Sequence, residues 1–195
     1  MSDLRQHLRS RRRALSNREQ QRHAFFSTMR FLSWFRGLQT KRVAVFLSQD
    51  GELDTRRLIK YLWQRRIAVF LPVVEADGVL SFAPYHITTS LRPNRFGILE
   101  PSKLEPRLSI TQMSLLLMPL VGFDAQGNRL GMGGGFYDKT LAACRRPCAH
   151  QPKLVGWAHQ CQQVQAFPVQ PWDVPLEHLI TERQHWRFSR AFVRV

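Results

Sequence analysis

Hydrophobic positions change period several times along the chain. Leu4, Leu8 and Leu15 fall on one side of a helical wheel, with Arg5, Arg9 and Arg12 on a neighbouring stripe, and predict an amphipathic first helix with a basic edge. Ser16 followed by Glu19 reads as a capping box, opening a second helix that runs to Phe35 and stops at Gly37. The period then shortens. A valine-rich run from Arg42 to Leu47 predicts a buried strand, Thr55 to Arg65 has helical spacing through Leu58, Ile59 and Leu62, and Ile67 to Val74 reads as a strand again. Further strands are expected at Leu80 to Tyr85, Ser114 to Leu120, Leu154 to Trp157 and Leu179 to Thr181, with a short helix over Tyr137 to Cys144. This alternation predicts an α/β fold with a largely parallel sheet and helices on both faces, a class that binds ligands outside the carboxyl ends of its strands.

Length and composition narrow the organisation. With 195 residues, 44% hydrophobic and 11% aromatic, and no internal repeat or long linker, residues 1–195 read as a single domain whose basic helical segment, 1–37, packs on the α/β core. No apolar run approaches the roughly 18 residues of a membrane span. Cys144, Cys148 and Cys161 are odd in number and lack a paired zinc spacing, which favours a reduced cytoplasmic chain without a structural metal. The net charge of +15 concentrates anions near the surface without saying which. Arg5 to Arg13 holds five arginines and no acid, and so reads as a nucleic-acid arm, a transit peptide or the basic face of a helix.

Candidate chemistry concentrates in three segments. Pro119 to Asp138, PLVGFDAQGNRLGMGGGFYD, runs from a strand into a loop carrying Gly131, Gly133, Gly134 and Gly135. Such a run lets backbone amides approach a phosphate at a helix start, with Arg129 and Lys139 supplying full charges; a tight turn is the alternative. The dinucleotide fingerprint fails at Phe136, the Walker pattern lacks its Gly-Lys, and a calcium loop begun at Asp124 would end on Gly135. Asp138 reads either as an acid favoured by the helix dipole or as a Mg2+ ligand beside bound phosphates, and Asp173 as a second such carboxylate or an ordinary loop aspartate. In FLSQDGELDT, Phe46 to Thr55, Asp54 and Thr55 suit a helix cap, whereas Glu52 lies before it and can accept hydrogen bonds from a heterocycle or simply face solvent.

Together these segments, with RFGILEP from Arg95 to Pro101 and QPWDVPLEHLITE from Gln170 to Glu182, resemble the 5-formyltetrahydrofolate cyclo-ligase family, also known as 5,10-methenyltetrahydrofolate synthetase. The likeness spans nearly the whole chain. It implies a three-layer α/β/α sandwich and ATP-dependent cyclisation of 5-formyltetrahydrofolate to 5,10-methenyltetrahydrofolate, with ADP and phosphate released. On matching positions it implies an ATP contact from Arg5 and a phosphate-wrapping loop of Arg129, Leu130, Gly131, Met132, Gly133, Gly134, Gly135, Phe136 and Tyr137. Leu47, Glu52 and Met132 to Phe136 would hold the folate, Asp138 and Asp173 would bind Mg2+, and Arg129 and Tyr137 are the candidate catalytic side chains. Relatives usually carry a basic residue where Met1 stands here, and some carry one within the glycine run, where this chain has Met132 and Gly134. The expected partners are a small-molecule folate and ATP acting on a monomer, with no membrane or specific nucleic acid. The competing reading is a nucleic-acid-binding module built on the Arg5 to Arg13 stripe.

Overall fold

The computed structural model describes residues 1–38, 40–102, 106–145 and 150–188, which leaves Cys148 outside the described residues. Two helices open the chain, α1 (Ser2–Arg13) and α2 (Asn17–Phe35). The capping box forms as expected: Glu19 N–H donates to Ser16 Oγ, and Ser16 N–H donates to the Glu19 carboxylate. Leu15 falls beyond α1, so Leu8, fully buried, is the anchor of that helix.

A seven-stranded sheet follows, built from β1 (Arg42–Ala44), β2 (Ala68–Val74), β3 (Leu80–Pro84), β6 (Leu115–Pro119), β9 (Lys153–Trp157), β10 (His178–Ile180) and β11 (His185–Arg187). Its order is β11-β10-β9-β6-β1-β2-β3. The interior pairings β10-β9, β9-β6, β6-β1 and β1-β2 are parallel, while β3 and β11 pair antiparallel at the two edges. Two hairpins lie outside the sheet, β4 (Leu91–Pro93) with β5 (Leu99–Pro101) and β7 (Gly122–Phe123) with β8 (Arg129–Leu130).

Strand alternation divides the core. Val43, Val69, Leu71, Leu115, Leu117 and Val155 face α2 and α3 (Arg56–Gln64), meeting Phe31, Leu32, Leu58 and Leu62. Ala44, Phe70, Leu116, Met118 and Leu154 face the other way, where the cover is the six-residue α4 (Phe136–Leu141), short 3-10 turns and loop residues such as Val174 and Leu176. The expected helices on both faces are thus unequal: two substantial ones on one side, a short one on the other. The run expected to be strand to Leu47 is regular only to Ala44 and makes its last hydrogen bond to β2 from Val45 N–H to Phe70 O at 2.9 Å, before it turns into the loop that carries Glu52. The helix expected to reach Cys144 becomes a 3-10 turn over Ala142–Arg145.

The first helix closes the carboxyl end of the sheet. Leu8 packs with Val121 and Leu130, and a Cβ on Gly122 would lie 2.6 Å from Leu8 Cδ1, so a larger residue there would force Leu8 or the helix that carries it to shift.

Candidate active site

At the carboxyl ends of β1, β2 and β6 the chain leaves a cavity of about 740 Å³. Its lining includes Arg5, Leu47, Glu52, Arg129, residues 130–137, Asp138 and Asp173, so all the site residues expected from the sequence reach one space. Ile98 and Glu100 from the β4-β5 hairpin, Leu71 from β2, and Phe167 and Trp172 complete the wall; nothing in their spacing marked them beforehand.

The glycine loop is shaped by backbone needs. Gly133 and Gly135 sit at φ +105° and +67°, the left-handed region, and Gly135 is the residue from which α4 starts. A Cβ on Gly134 would lie 2.7 Å from the Phe136 ring. Arg5 reaches over from α1 and its Nε donates to Gly131 O at 2.8 Å, with the guanidinium beside Gly133. The basic stripe is therefore turned inward. Arg9 Nε and Arg12 NH2 donate to Asp50 Oδ2 at 2.8 and 2.9 Å, and Arg13 pairs with Asp50 Oδ1. Arg12, only 1% exposed, also donates to the carbonyls of Asp50 and Leu120.

This cluster governs the neighbouring acid. Burial would raise Asp50, but the hydrogen bonds from Arg9, Arg13 and Arg12 hold its carboxyl below the ordinary range. Glu52 goes the other way. Desolvation pushes it up to about 7, and Asp50 adds to the rise, against the pull of Arg12 at 3.8 Å and of the Gln49 N–H that donates to Oε2 at 3.1 Å. Tyr137 is kept a neutral phenol by desolvation and by the Glu52 charge, a coupling that places it within electrostatic reach of Glu52. Thr55, expected as a helix cap, instead donates to Phe46 O at 2.7 Å, while the Asp54 carboxylate accepts from Arg56 N–H at 2.8 Å and does the capping.

On the opposite wall Arg129 forms a charge-assisted hydrogen bond to Asp138 Oδ1, and its Nε, buried, has no hydrogen-bond partner among the described residues. Val174 N–H also approaches Asp138 Oδ1, at 3.4 Å. Asp173 Oδ2 accepts from Gln170 N–H at 2.9 Å. Asp124 is a turn former, accepting from Gln126 N–H and Asn128 N–H in the β7-β8 hairpin. Two carboxylates on one cavity wall give hard oxygen donors of the kind Mg2+ takes beside phosphate oxygens, so the donor set fits that ion.

The profile described as the 5-formyltetrahydrofolate cyclo-ligase family matches residues 1–182. This chain belongs to the 5-formyltetrahydrofolate cyclo-ligase family. Within it, the chain is 42% identical to the 5-formyltetrahydrofolate cyclo-ligase of Escherichia coli K12 over 185 residues, covering 93% of this chain and 100% of that one. The cyclo-ligase of Haemophilus influenzae is 44% identical over 141 residues, covering 71% of this chain and 74% of that one. Among solved structures, the 5,10-methenyltetrahydrofolate synthetase of Aquifex aeolicus superposes with a TM-score of 0.77 at 28% identity, covering 97% of this chain and 93% of that one. The α/β architecture described above is accordingly that of the cyclo-ligases, and no helix among the described residues is long and apolar enough to cross a membrane.

Proposed function

We propose that this cyclo-ligase uses ATP to close 5-formyltetrahydrofolate to 5,10-methenyltetrahydrofolate in the cavity at the carboxyl ends of β1, β2 and β6. The observation that carries the reading is the convergence of the Glu52 loop and the glycine loop on a single space. A formamide oxygen leaves poorly, which explains the need for a nucleotide. The formyl oxygen attacks the γ-phosphorus, forming an O–P bond as the bond to the β,γ-bridging oxygen breaks and ADP departs. N10 then attacks the activated carbon, forming the N10–C bond; its N–H proton passes to a phosphate oxygen or to solvent as the C–O bond breaks, releasing phosphate and leaving the methenyl bridge.

Phosphoryl transfer of this kind asks for positioning and charge neutralisation more than for a protein nucleophile. Amides of residues 131–135 approach the phosphates, while Arg5 and Arg129 supply fixed positive charge at two sides of the loop. Tyr137, a neutral phenol, donates a hydrogen bond to a phosphoryl oxygen. Asp138 and Asp173 would hold Mg2+, which when bound offsets the charge of the triphosphate. Glu52, poised near neutrality, accepts N–H groups of the pterin, with Leu47 and Phe136 as apolar walls. Arg5, Arg9, Arg12 and Arg13 all have acceptors within the protein, which supports a structural and nucleotide-facing use of the stripe over a nucleic-acid one.

The test is to mix the protein with Mg·ATP and 5-formyltetrahydrofolate and follow methenyl absorbance alongside ADP. Equal amounts of both products are expected; ADP without the methenyl compound, or neither, would refute the assignment.

A further inference from the structure

Away from the cavity, three side chains from distant parts of the chain converge. His23 comes from α2, His159 from the turn after β9 and Glu182 from the turn after β10. The two Nδ1 atoms lie 2.9 Å apart and share a hydrogen bond, and His23 Nε2 is 3.8 Å from Glu182 Oε1. One ligand-capable atom from each residue lies within 4.8 Å of the others. His159 is 0% exposed, and its Nε2 is buried with no hydrogen-bond partner among the described residues.

We propose that His23, His159 and Glu182 form a metal site for a divalent first-row transition ion, with Zn2+ the ion its donors suit best. Two imidazoles and a carboxylate are donors that Zn2+ accepts, with a fourth position left open. At Zn–N distances of about 2.0–2.1 Å, tetrahedral ligand atoms stand about 3.3 Å apart, so two Nδ1 ligands at 2.9 Å separate slightly, and Glu182, now 3.8 Å from His23 Nε2, turns from that nitrogen to complete the set. The Glu182 carboxylate is itself oriented, its Oε2 accepting from Gln160 N–H at 2.9 Å, and the main-chain N–H of His159 donates to Gln162 Oε1 at 2.9 Å, which fixes the turn that carries the imidazole.

An entry path exists. His23 and Glu182 line a groove of about 480 Å³ rimmed by Arg11, Arg22, Arg30 and Arg183. With one carboxylate against two positive charges the centre keeps an excess of one, and the arginine rim favours an anion over a neutral molecule at the open position. Cys161 also faces this groove but lies outside the converging set. No ligand spacing is readable in the sequence, because residues 23, 159 and 182 meet only through the packing of α2 across β9 and β10.

The experiment strips the full-length protein with chelator, titrates it with Zn2+ by calorimetry, and measures retained metal after desalting. Roughly one equivalent is expected, and Co2+ in its place should give the intense visible absorption of a four-coordinate centre. His159→Gln and Glu182→Gln should each weaken binding by about tenfold or more. Circular dichroism and thermal melts identify folded variants. Should His159→Gln not fold, Glu182→Gln on the groove wall and the wild-type Co2+ spectrum still decide. Absence of retained metal, a weak six-coordinate spectrum, or full retention by a folded variant would each overturn the site.

Discussion

At the residue scale, Asp50 and Glu52 lie two positions apart and are driven in opposite directions: guanidinium hydrogen bonds hold one low and desolvation raises the other. A carboxyl raised in the folded state keeps its proton longer than in the unfolded chain. Stability from Glu52 is therefore fully present below the ordinary glutamate range and declines as pH climbs towards about 7. Glu52→Gln should melt higher than wild type at pH 8, with the gap closing by pH 5; an unchanged gap in thermal melts across that window would remove the raised carboxyl. The same variant should weaken folate binding while leaving ATP binding in place. The two aspartates separate by the same logic. Asp138→Ala strands Arg129, whose side chain is only 5% exposed, and should cost roughly 3–5 kcal/mol of stability together with turnover. Among the described residues Asp173→Ala removes a side-chain contact with Gln170 N–H, so denaturant melts should hardly move while the Mg2+ requirement rises. Equal destabilisation by both would contradict the pairing.

At the element scale, α1 is a structural lid fastened by Leu8 on its apolar side and Asp50 on its basic side. Leu8→Ala should destabilise by about 2–5 kcal/mol in urea melts. Gly122→Ala should push the helix outward and raise the KM for ATP more than it lowers kcat, because Arg5 rides on that helix. An equal effect on both parameters would detach α1 from nucleotide binding. The elements themselves were largely readable: the capping box, α3 and the valine-rich strands follow directly from spacing. Hairpin β4-β5 was not, although its signal was present. Asn94 turns it by accepting from Phe96 N–H and Ile98 N–H, and Gly97 takes φ +74°, a local hydrogen-bonding pattern that strand periodicity does not register. Strand β11 was missed because three residues at an edge carry too little alternation to stand out.

At the scale of the whole molecule, the parallel interior of the sheet explains why two segments about 80 residues apart in sequence form one cavity: both follow strands whose carboxyl ends point the same way. The glycine loop and the FLSQDGELDT segment were legible as candidates; fold class put the second at the ligand edge of the sheet, and the family resemblance implied that the two share a site. What sequence could not supply was pairing. That Arg12 would be buried against Asp50, or His23 against His159, depends on tertiary contacts that leave no local trace. With a charge of +15, association with anionic substrates should slow as ionic strength rises, so kcat/KM falls with added salt while kcat holds. The most direct measurement follows the formyl oxygen itself. With 5-formyltetrahydrofolate carrying 18O in the formyl group, mass analysis of the released phosphate should find the label there, one atom per methenyl product. Unlabelled phosphate would mean that the γ-phosphoryl group never met that oxygen, and that the cavity does not perform the transfer assigned to it.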